Sequence, residues 1–546
     1  MISIIKKIKN KRQKEINNRL KNLTIKQIKD YFLCYGFYPE SQYLPSDFFT
    51  STDLSKRNSI DMVKLEKDFY INPSSILFPK TQFSFRKISV PPVKYYLQCI
   101  EFITNKVNWS KILKHLILGN SSNIIPYSIP LFYENDKRSE IGICNYKVMT
   151  ETDLPRIIEY YDYVIKVDIK EFYPSIYTHS ISWSLDQRTN YNYKCPNLCC
   201  KSCNHAMCKC DHKCKNYWAN KLDFFTRNLN LQRTKGILIG PYVSDLVSEI
   251  LLKKIDIDIT KELKSIGLSE KKYIGLRFKD DFIFFTNNKS DAEKILKEVN
   301  KVLFDYHLSV NDNKTSISSS IDFQDDKVWK TDIEYLKKKI DESFAKKGDE
   351  EEIYEKDIRL IVKKAKEIFK EYNDEYILKT ILGTFVRENT KVVNILSNVE
   401  ESRPYIKNLN EIYETSFSLI GSLCKLTPSS WPSYFAFIDL CYTKKTKVII
   451  QGTINNMLDY FIKRDESIGI LWCFYIAWRK DLNFDKKKII KIKERYKDNW
   501  LIMSFIDSKN GKYELQDGTV VSLINTDTNK AQNISEIVSV FGYQKK

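Results

Sequence analysis

Residues 273–286 read YIGLRFKDDFIFFT. β-Branched and aromatic side chains flank a central polar group, a pattern that predicts two strands meeting at a tight hairpin turn. The turn carries Asp280 and Asp281 side by side, next to Leu276, Phe278, Phe282, Ile283 and Phe284. Adjacent carboxylates repel each other unless a cation lies between them. A lone Asp-Asp turn is most often simply solvated, so the surrounding sequence has to decide its meaning.

Upstream, residues 164–180 read VIKVDIKEFYPSIYTHS, with Asp168 ending the β-prone run YVIKVD. A charge at the end of an apolar strand is exposed, paired or metal-bound, because burying it bare is too costly. If this strand pairs with the hairpin, Asp168 meets Asp280 and Asp281 at one edge. Three carboxylates gathered in this way can hold two Mg²⁺ ions about 3.5–4 Å apart, an arrangement that stabilises both the attacking and the leaving oxygen of phosphoryl transfer.

Three further segments frame these two. Residues 86–98, RKISVPPVKYYLQ, alternate and carry two prolines; residues 236–252, GILIGPYVSDLVSEILL, read as a Gly-Pro turn leading into a buried helix; residues 307–315 read HLSVNDNKT. Taken in order, the five segments resemble the motifs of reverse transcriptases. Asp168, followed by an aromatic and then Ser-Ile, resembles the first palm motif. Phe278 to Asp281 stands where that family has Y-x-D-D, and Lys314 and Thr315 fall on the end of L-x-L-N-x-x-K-T. The stretch FYPSIYTHSISW is similar to that of the bacterial abortive-infection, phage-defence type (AbiK-like). The resemblance implies a right-hand polymerase of α+β class, with reverse-transcriptase fingers and palm and an α-helical C-terminal domain, thumb-like plus helical repeats.

The same resemblance implies roles. Asp168, Asp280 and Asp281 become the catalytic Mg²⁺ ligands, joined by the backbone carbonyl of Ile169. Arg86 pairs with the nucleotide triphosphate, in keeping with the bidentate match of guanidinium to phosphate. Tyr173 crowds the sugar 2′ position and favours dNTPs. Gly240 and Ser244, with Pro241 between them, border primer or nucleotide, and Lys314 neutralises the leaving pyrophosphate. Arg86 also reads as an ordinary surface arginine, Tyr173 as core packing, Gly240 as a turn residue and Lys314 as a solvated lysine. Two departures stand out: Phe278 lacks the tyrosine hydroxyl, and Lys279 puts a cation where small or apolar residues are usual, within expected reach of the primer end. The AbiK-like type is known for protein-primed, template-independent synthesis, which would attach the DNA product covalently to a tyrosine; Tyr35, Tyr38 and Tyr43 lie in a segment suited to it.

Between the first two palm motifs lies KCPNLCCKSCNHAMCKCDHKCK. Its soft ligands are Cys195, Cys199, Cys200, Cys203, His205, Cys208, Cys210, His212 and Cys214. Seven of the chain's 13 cysteines fall in this stretch, with Cys200-x₂-Cys203 at zinc-finger spacing. The island is expected to bind one or two Zn²⁺; redox-active thiols and an unmetallated loop are the alternatives. The other cysteines are scattered in apolar contexts, the pattern of reduced core thiols.

The chain has 546 residues, with 88 Lys plus Arg against 69 Asp plus Glu, a net charge of +19. This excess predicts a polyanionic partner, against the alternative of a compositional bias toward Lys, Ile and Asn. With 42% apolar residues the chain is not a disordered one. No run reaches the ~18 apolar residues of a membrane span, so a cytoplasmic protein with no membrane association is expected. The expected organisation is an N-terminal helical segment (1–80), fingers and palm (81–325) with the Cys/His insertion at 194–216, a helical domain (326–506) and a polar tail (507–546). The leading expectation is an antiviral DNA polymerase using dNTPs, with or without an RNA template, acting as a homo-oligomer or with another defence protein. The alternative is a non-catalytic nucleic-acid scaffold, against which the three retained carboxylates argue.

Overall fold

The computed structural model describes residues 2–39, 44, 71–79, 84–117, 122–130, 145–186, 217–323, 330–345, 351–387, 409–442, 444, 446–507, 512–514 and 520–522. The chain divides into two compact units. The first comprises residues 1–39, 53–73 and 89–324, and the second residues 40–52, 74–88 and 325–546.

The chain opens with α1 (Ile2–Lys21) and α2 (Ile25–Tyr35). Thr24 caps α2 in a capping box with Gln27, each side chain meeting the other residue's backbone N–H. A two-stranded sheet, β1 (Ser74–Pro79) with β2 (Phe85–Val90), then precedes α3 (Val93–Ile103) and α4 (Lys106–Ile117). Pro91 and Pro92 stop the strand, and Pro92 stands at the N-cap of α3, where its missing N–H costs nothing.

The centre of the first unit is a five-stranded sheet in the order β3-β5-β6-β4-β7. Its strands are β3 (Ile124–Pro126), β4 (Tyr163–Asp168), β5 (Tyr273–Phe278), β6 (Asp281–Thr286) and β7 (Ser316–Ser319). All pairings are antiparallel except β3 with β5. Side-chain alternation sorts the residues to two faces. On one face Ile165, Val167, Phe282 and Phe284 pack with Leu251, Leu252, Ile255 and Val299. These come from the long helix Tyr242–Ser265 and from Lys289–Asp305. On the other, Val164, Ile274, Leu276 and Phe285 pack with Ile8, Tyr127, Met149 and Ile157. Gly275 is required here: a Cβ would lie 2.9 Å from both Ile124 Cγ1 and Phe284 Cε1.

Between strands β4 and β5 the chain forms α5 (Phe172–Ser175), α6 (His179–Leu185), α7 (Trp218–Asn228) and α8 (Tyr242–Ser265). The helix after β6 is α9 (Lys289–Asp305). The Gly-Pro turn and buried helix expected at 236–252 are present, and the helix runs on to Ser265.

The second unit is mainly helical. The helix Ser467–Arg479 is buried from Ser467 through Ala477, as its unbroken apolar sequence requires. It packs on neighbouring helices through Trp472, which stacks on Phe435 with ring centroids 5.8 Å apart. Strand β1 belongs to this unit: Leu77 N–H donates to Ser467 Oγ at 2.9 Å and Asn499 Nδ2 donates to the Ser75 carbonyl at 2.9 Å. Among the described residues no helix is long and apolar enough to cross a membrane.

Candidate active site

Register brings the acidic residues together. In the β4–β6 pair Asp168 stands directly opposite Asp281, and in the β5–β6 pair Phe278 stands opposite Asp281. The hairpin turn is therefore Lys279-Asp280, with Lys279 at φ +53°, the positive φ that two-residue hairpin turns demand at their first position. The Ile169 N–H donates to the Asp280 carbonyl at 3.2 Å, which ties the turn to the residue after Asp168. Residues 168 and 281 project from the same face of the sheet by alternation.

The loop after α9 closes on Asp168. Asn311 N–H donates to the Asp168 backbone carbonyl at 2.8 Å, and the N–H groups of Lys314 and Thr315 both donate to the Asn311 carbonyl at 3.0 Å. This turn delivers Asn311 Nδ2 to one carboxylate oxygen of Asp168 at 2.9 Å and Lys314 Nζ to the other at 3.0 Å. Partial burial would lower the Lys314 pKa, but the hydrogen bond and charge of Asp168 raise it on balance. Asp281 is pushed up to about 7, by desolvation of its carboxyl and then by the charges of Asp280 and Asp168. The residue as a whole is exposed at the strand end. Carboxylate oxygens are the donors a hard divalent cation takes. In this arrangement Lys314 supplies the positive charge, and among the described residues no group of three or more His, Cys, Asp or Glu side chains is placed to hold a metal ion.

A buried polar network lies beneath the turn. Arg277 is fully buried on β5. Its guanidinium donates to Asp256 through Nε at 2.9 Å and Nη2 at 3.0 Å, and to Glu249 through Nη1 at 3.1 Å and Nη2 at 3.0 Å. Burial opposes the charge, yet the two carboxylates hold the Arg277 pKa above its ordinary value. Ser128 Oγ donates to Glu249 at 2.5 Å and accepts the Lys279 N–H at 2.7 Å, so the network also fixes the backbone of the turn. Sequence reading missed these residues. A signal exists: Asp245, Glu249 and Asp256 recur at helical spacing on one face of α8, and Arg277 sits at an inward position of an apolar strand.

The remaining expected site residues are placed as follows. Tyr173, on α5, donates its hydroxyl to Asp245 Oδ1, and burial with the Asp245 charge raises its pKa well above the ordinary value. Lys279 Nζ lies 3.8 Å from the same Asp245 oxygen, so its side chain is turned back to α8 and does not stand free as a cation reaching for a primer end. Gly240 has φ +143°, and a Cβ there would lie 2.3 Å from the Ser89 carbonyl oxygen. Its missing side chain thus admits the chain's own backbone, which bonds through Ser89 N–H to the Ile239 carbonyl at 2.8 Å. Ser244 is buried in the first turn of α8. Arg86 is exposed on β2, within the second unit, whereas the residues above belong to the first. Tyr38 is buried, which is at odds with a mobile priming tyrosine; Tyr35 is exposed, and Tyr43 lies outside the described residues. His179 Nδ1 bonds buried Asp223 Oδ2 at 2.6 Å, a structural contact. All nine ligands of the Cys/His island lie outside the described residues.

Residues 78–340 match the family model described as reverse transcriptase (RNA-dependent DNA polymerase). That stretch, somewhat less than half of the chain, is therefore similar to a reverse-transcriptase domain. No curated protein matches. Among solved structures the chain is similar to three of telomerase. A C-terminally truncated apo telomerase from Candida tropicalis is 20% identical, with a TM-score of 0.29, over 46% of this chain and 50% of that one. Apo telomerase from the same organism is 16% identical at 0.32, over 75% and 70%. Telomerase from Candida albicans, in complex with a fragment of telomeric RNA, is 14% identical at 0.27, over 70% and 64%. The chain thus spans about half the length of the first of these, and superpositions this loose add nothing on architecture.

Proposed function

We propose that the chain is a DNA polymerase of reverse-transcriptase, right-hand type that adds dNTPs to a 3′-hydroxyl and releases pyrophosphate. The single observation carrying this reading is the β4–β6 register, which sets Asp168 opposite Asp281 and next to Asp280. A non-catalytic scaffold has no use for carboxylates held in mutual repulsion at a strand end. Asp168, Asp280 and Asp281, with the Ile169 carbonyl, would hold Mg²⁺, which supplies Lewis-acid stabilisation of the reacting phosphate oxygens when bound. Lys314 balances Asp168 until then and is placed to meet the negative charge of the departing group. Tyr173 walls the sugar side, and Arg86 is assigned to the triphosphate by its motif. The similarity of FYPSIYTHSISW to the AbiK-like type supports a place in bacterial antiviral defence, and the Cys/His island is assigned Zn²⁺ from its spacing, which elemental analysis of the purified protein tests.

Purified protein with Mg²⁺ is expected to incorporate labelled dNTPs, and Asp281→Asn and Asp280→Asn to abolish incorporation while retaining the fold by circular dichroism. Equal incorporation by wild type and both variants would sink the assignment. Running the reaction with and without poly(rA)·oligo(dT), followed by phenol extraction with and without protease, separates RNA-templated synthesis from untemplated synthesis on a protein tyrosine.

A further inference from the structure

Asp245 stands at the crossing of three separate segments. From α8, one of its carboxylate oxygens accepts the Tyr173 hydroxyl of α5 and faces Lys279 Nζ of the catalytic turn at 3.8 Å. Asp245 is itself buried, so its charge has to be matched by these partners. The Tyr173 ring also meets the Phe172 ring in a T-shaped contact with centroids 5.4 Å apart. The α5 backbone is fixed as well, because Ile237 N–H donates to the Tyr173 carbonyl at 3.0 Å. A phenol ring tethered at its backbone, by a ring contact and at its hydroxyl keeps one orientation. Through the shared carboxylate that orientation is tied to the turn that carries Asp280.

We infer that Asp245 is a positioning residue that sets sugar discrimination, by holding the Tyr173 ring rigid beside the nucleotide site and in register with the acidic turn. This rests on the polymerase reading above. A ring free to swing would still pack, but it would yield to a 2′-hydroxyl instead of excluding it. Asp245 thus acts on selectivity without touching the nucleotide.

The test compares dUTP with UTP, which differ only at the 2′ position, using Mg²⁺ with and without poly(rA)·oligo(dT) and scoring acid-precipitable label. Tyr173→Phe removes only the hydroxyl, Asp245→Ala removes its partner, and Asp245→Asn keeps an acceptor for it. The UTP:dUTP incorporation ratio is expected to rise roughly tenfold, the scale of one charge-assisted hydrogen bond, in Tyr173→Phe and in Asp245→Ala. It should rise no further in the double variant, and it should return toward the wild-type ratio in Asp245→Asn. A ratio unchanged in Tyr173→Phe, or dUTP and UTP falling together in Asp245→Ala, overturns the inference. If Asp245→Ala fails to fold, Tyr173→Phe and Asp245→Asn carry the same comparison. Wild-type protein that incorporates neither nucleotide overturns the polymerase reading and this inference with it, whereas an unchanged ratio overturns the inference alone.

Discussion

Asp281 carries a pH dependence that follows from its surroundings. Its carboxyl is raised to about 7, against an ordinary aspartate near ~4. A group raised in the folded state contributes stability that is fully present below its unfolded pKa and is lost as pH rises through the folded one. In the absence of divalent metal, the melting temperature is therefore expected to fall between about pH 4 and pH 7 by an increment that Asp281→Asn removes. Thermal melts of both proteins across this range in EDTA check it, and parallel pH profiles would show that the carboxyl is not crowded. Mg²⁺ must displace the same proton, so its affinity should climb through the same window. Asn311 belongs at this scale too. Its side chain and backbone both serve Asp168; in HLSVNDNKT it stands on the Asn of L-x-L-N-x-x-K-T, but the motif alone does not say which group it serves.

The strands and helices that bear the site were legible because their patterns are local. The run YVIKVD became β4, and YIGLRFKDDFIFFT became β5, turn and β6, since period-two apolar residues with a polar break leave little else to form. What stayed hidden needs partners distant in sequence. The Gly240 contact with Ser89 and the meeting of Arg277 with Glu249 and Asp256 depend on packing between elements, and a charged residue inside an apolar strand shows only that a partner exists. Arg277 also allows a direct energetic statement. Replacing it with Met leaves two buried carboxylates uncompensated and is expected to destabilise the fold by about 3–5 kcal/mol. Removing all three charges together, as Arg277→Met with Glu249→Leu and Asp256→Leu, should recover most of that loss. Denaturant unfolding of the single and triple variants decides it: a triple variant no more stable than the single one would mean that the network does more than neutralise charge.

At the scale of the whole molecule the dominant feature is the excess of 88 basic over 69 acidic side chains. The acidic trio claims only part of the negative charge, and basic residues stay in water elsewhere, including Lys486, Lys487, Lys491 and Lys497 on or beside the helix Lys486–Tyr496. If the excess exists to hold nucleic acid, binding must release counterions, and the logarithm of affinity must fall linearly with the logarithm of salt concentration. Each duplex phosphate neutralised contributes about −0.9 to that slope, so a site covering about six phosphates loses roughly a thousandfold between about 50 and 200 mM salt. Fluorescence anisotropy with a labelled RNA–DNA duplex across that range measures the slope directly. Asp281→Asn should share the wild-type slope even where incorporation is lost, because phosphate contacts act on the backbone of the nucleic acid and the carboxylates act on the reacting nucleotide. A flat line in both proteins would assign the charge to composition and leave the duplex without a binding surface.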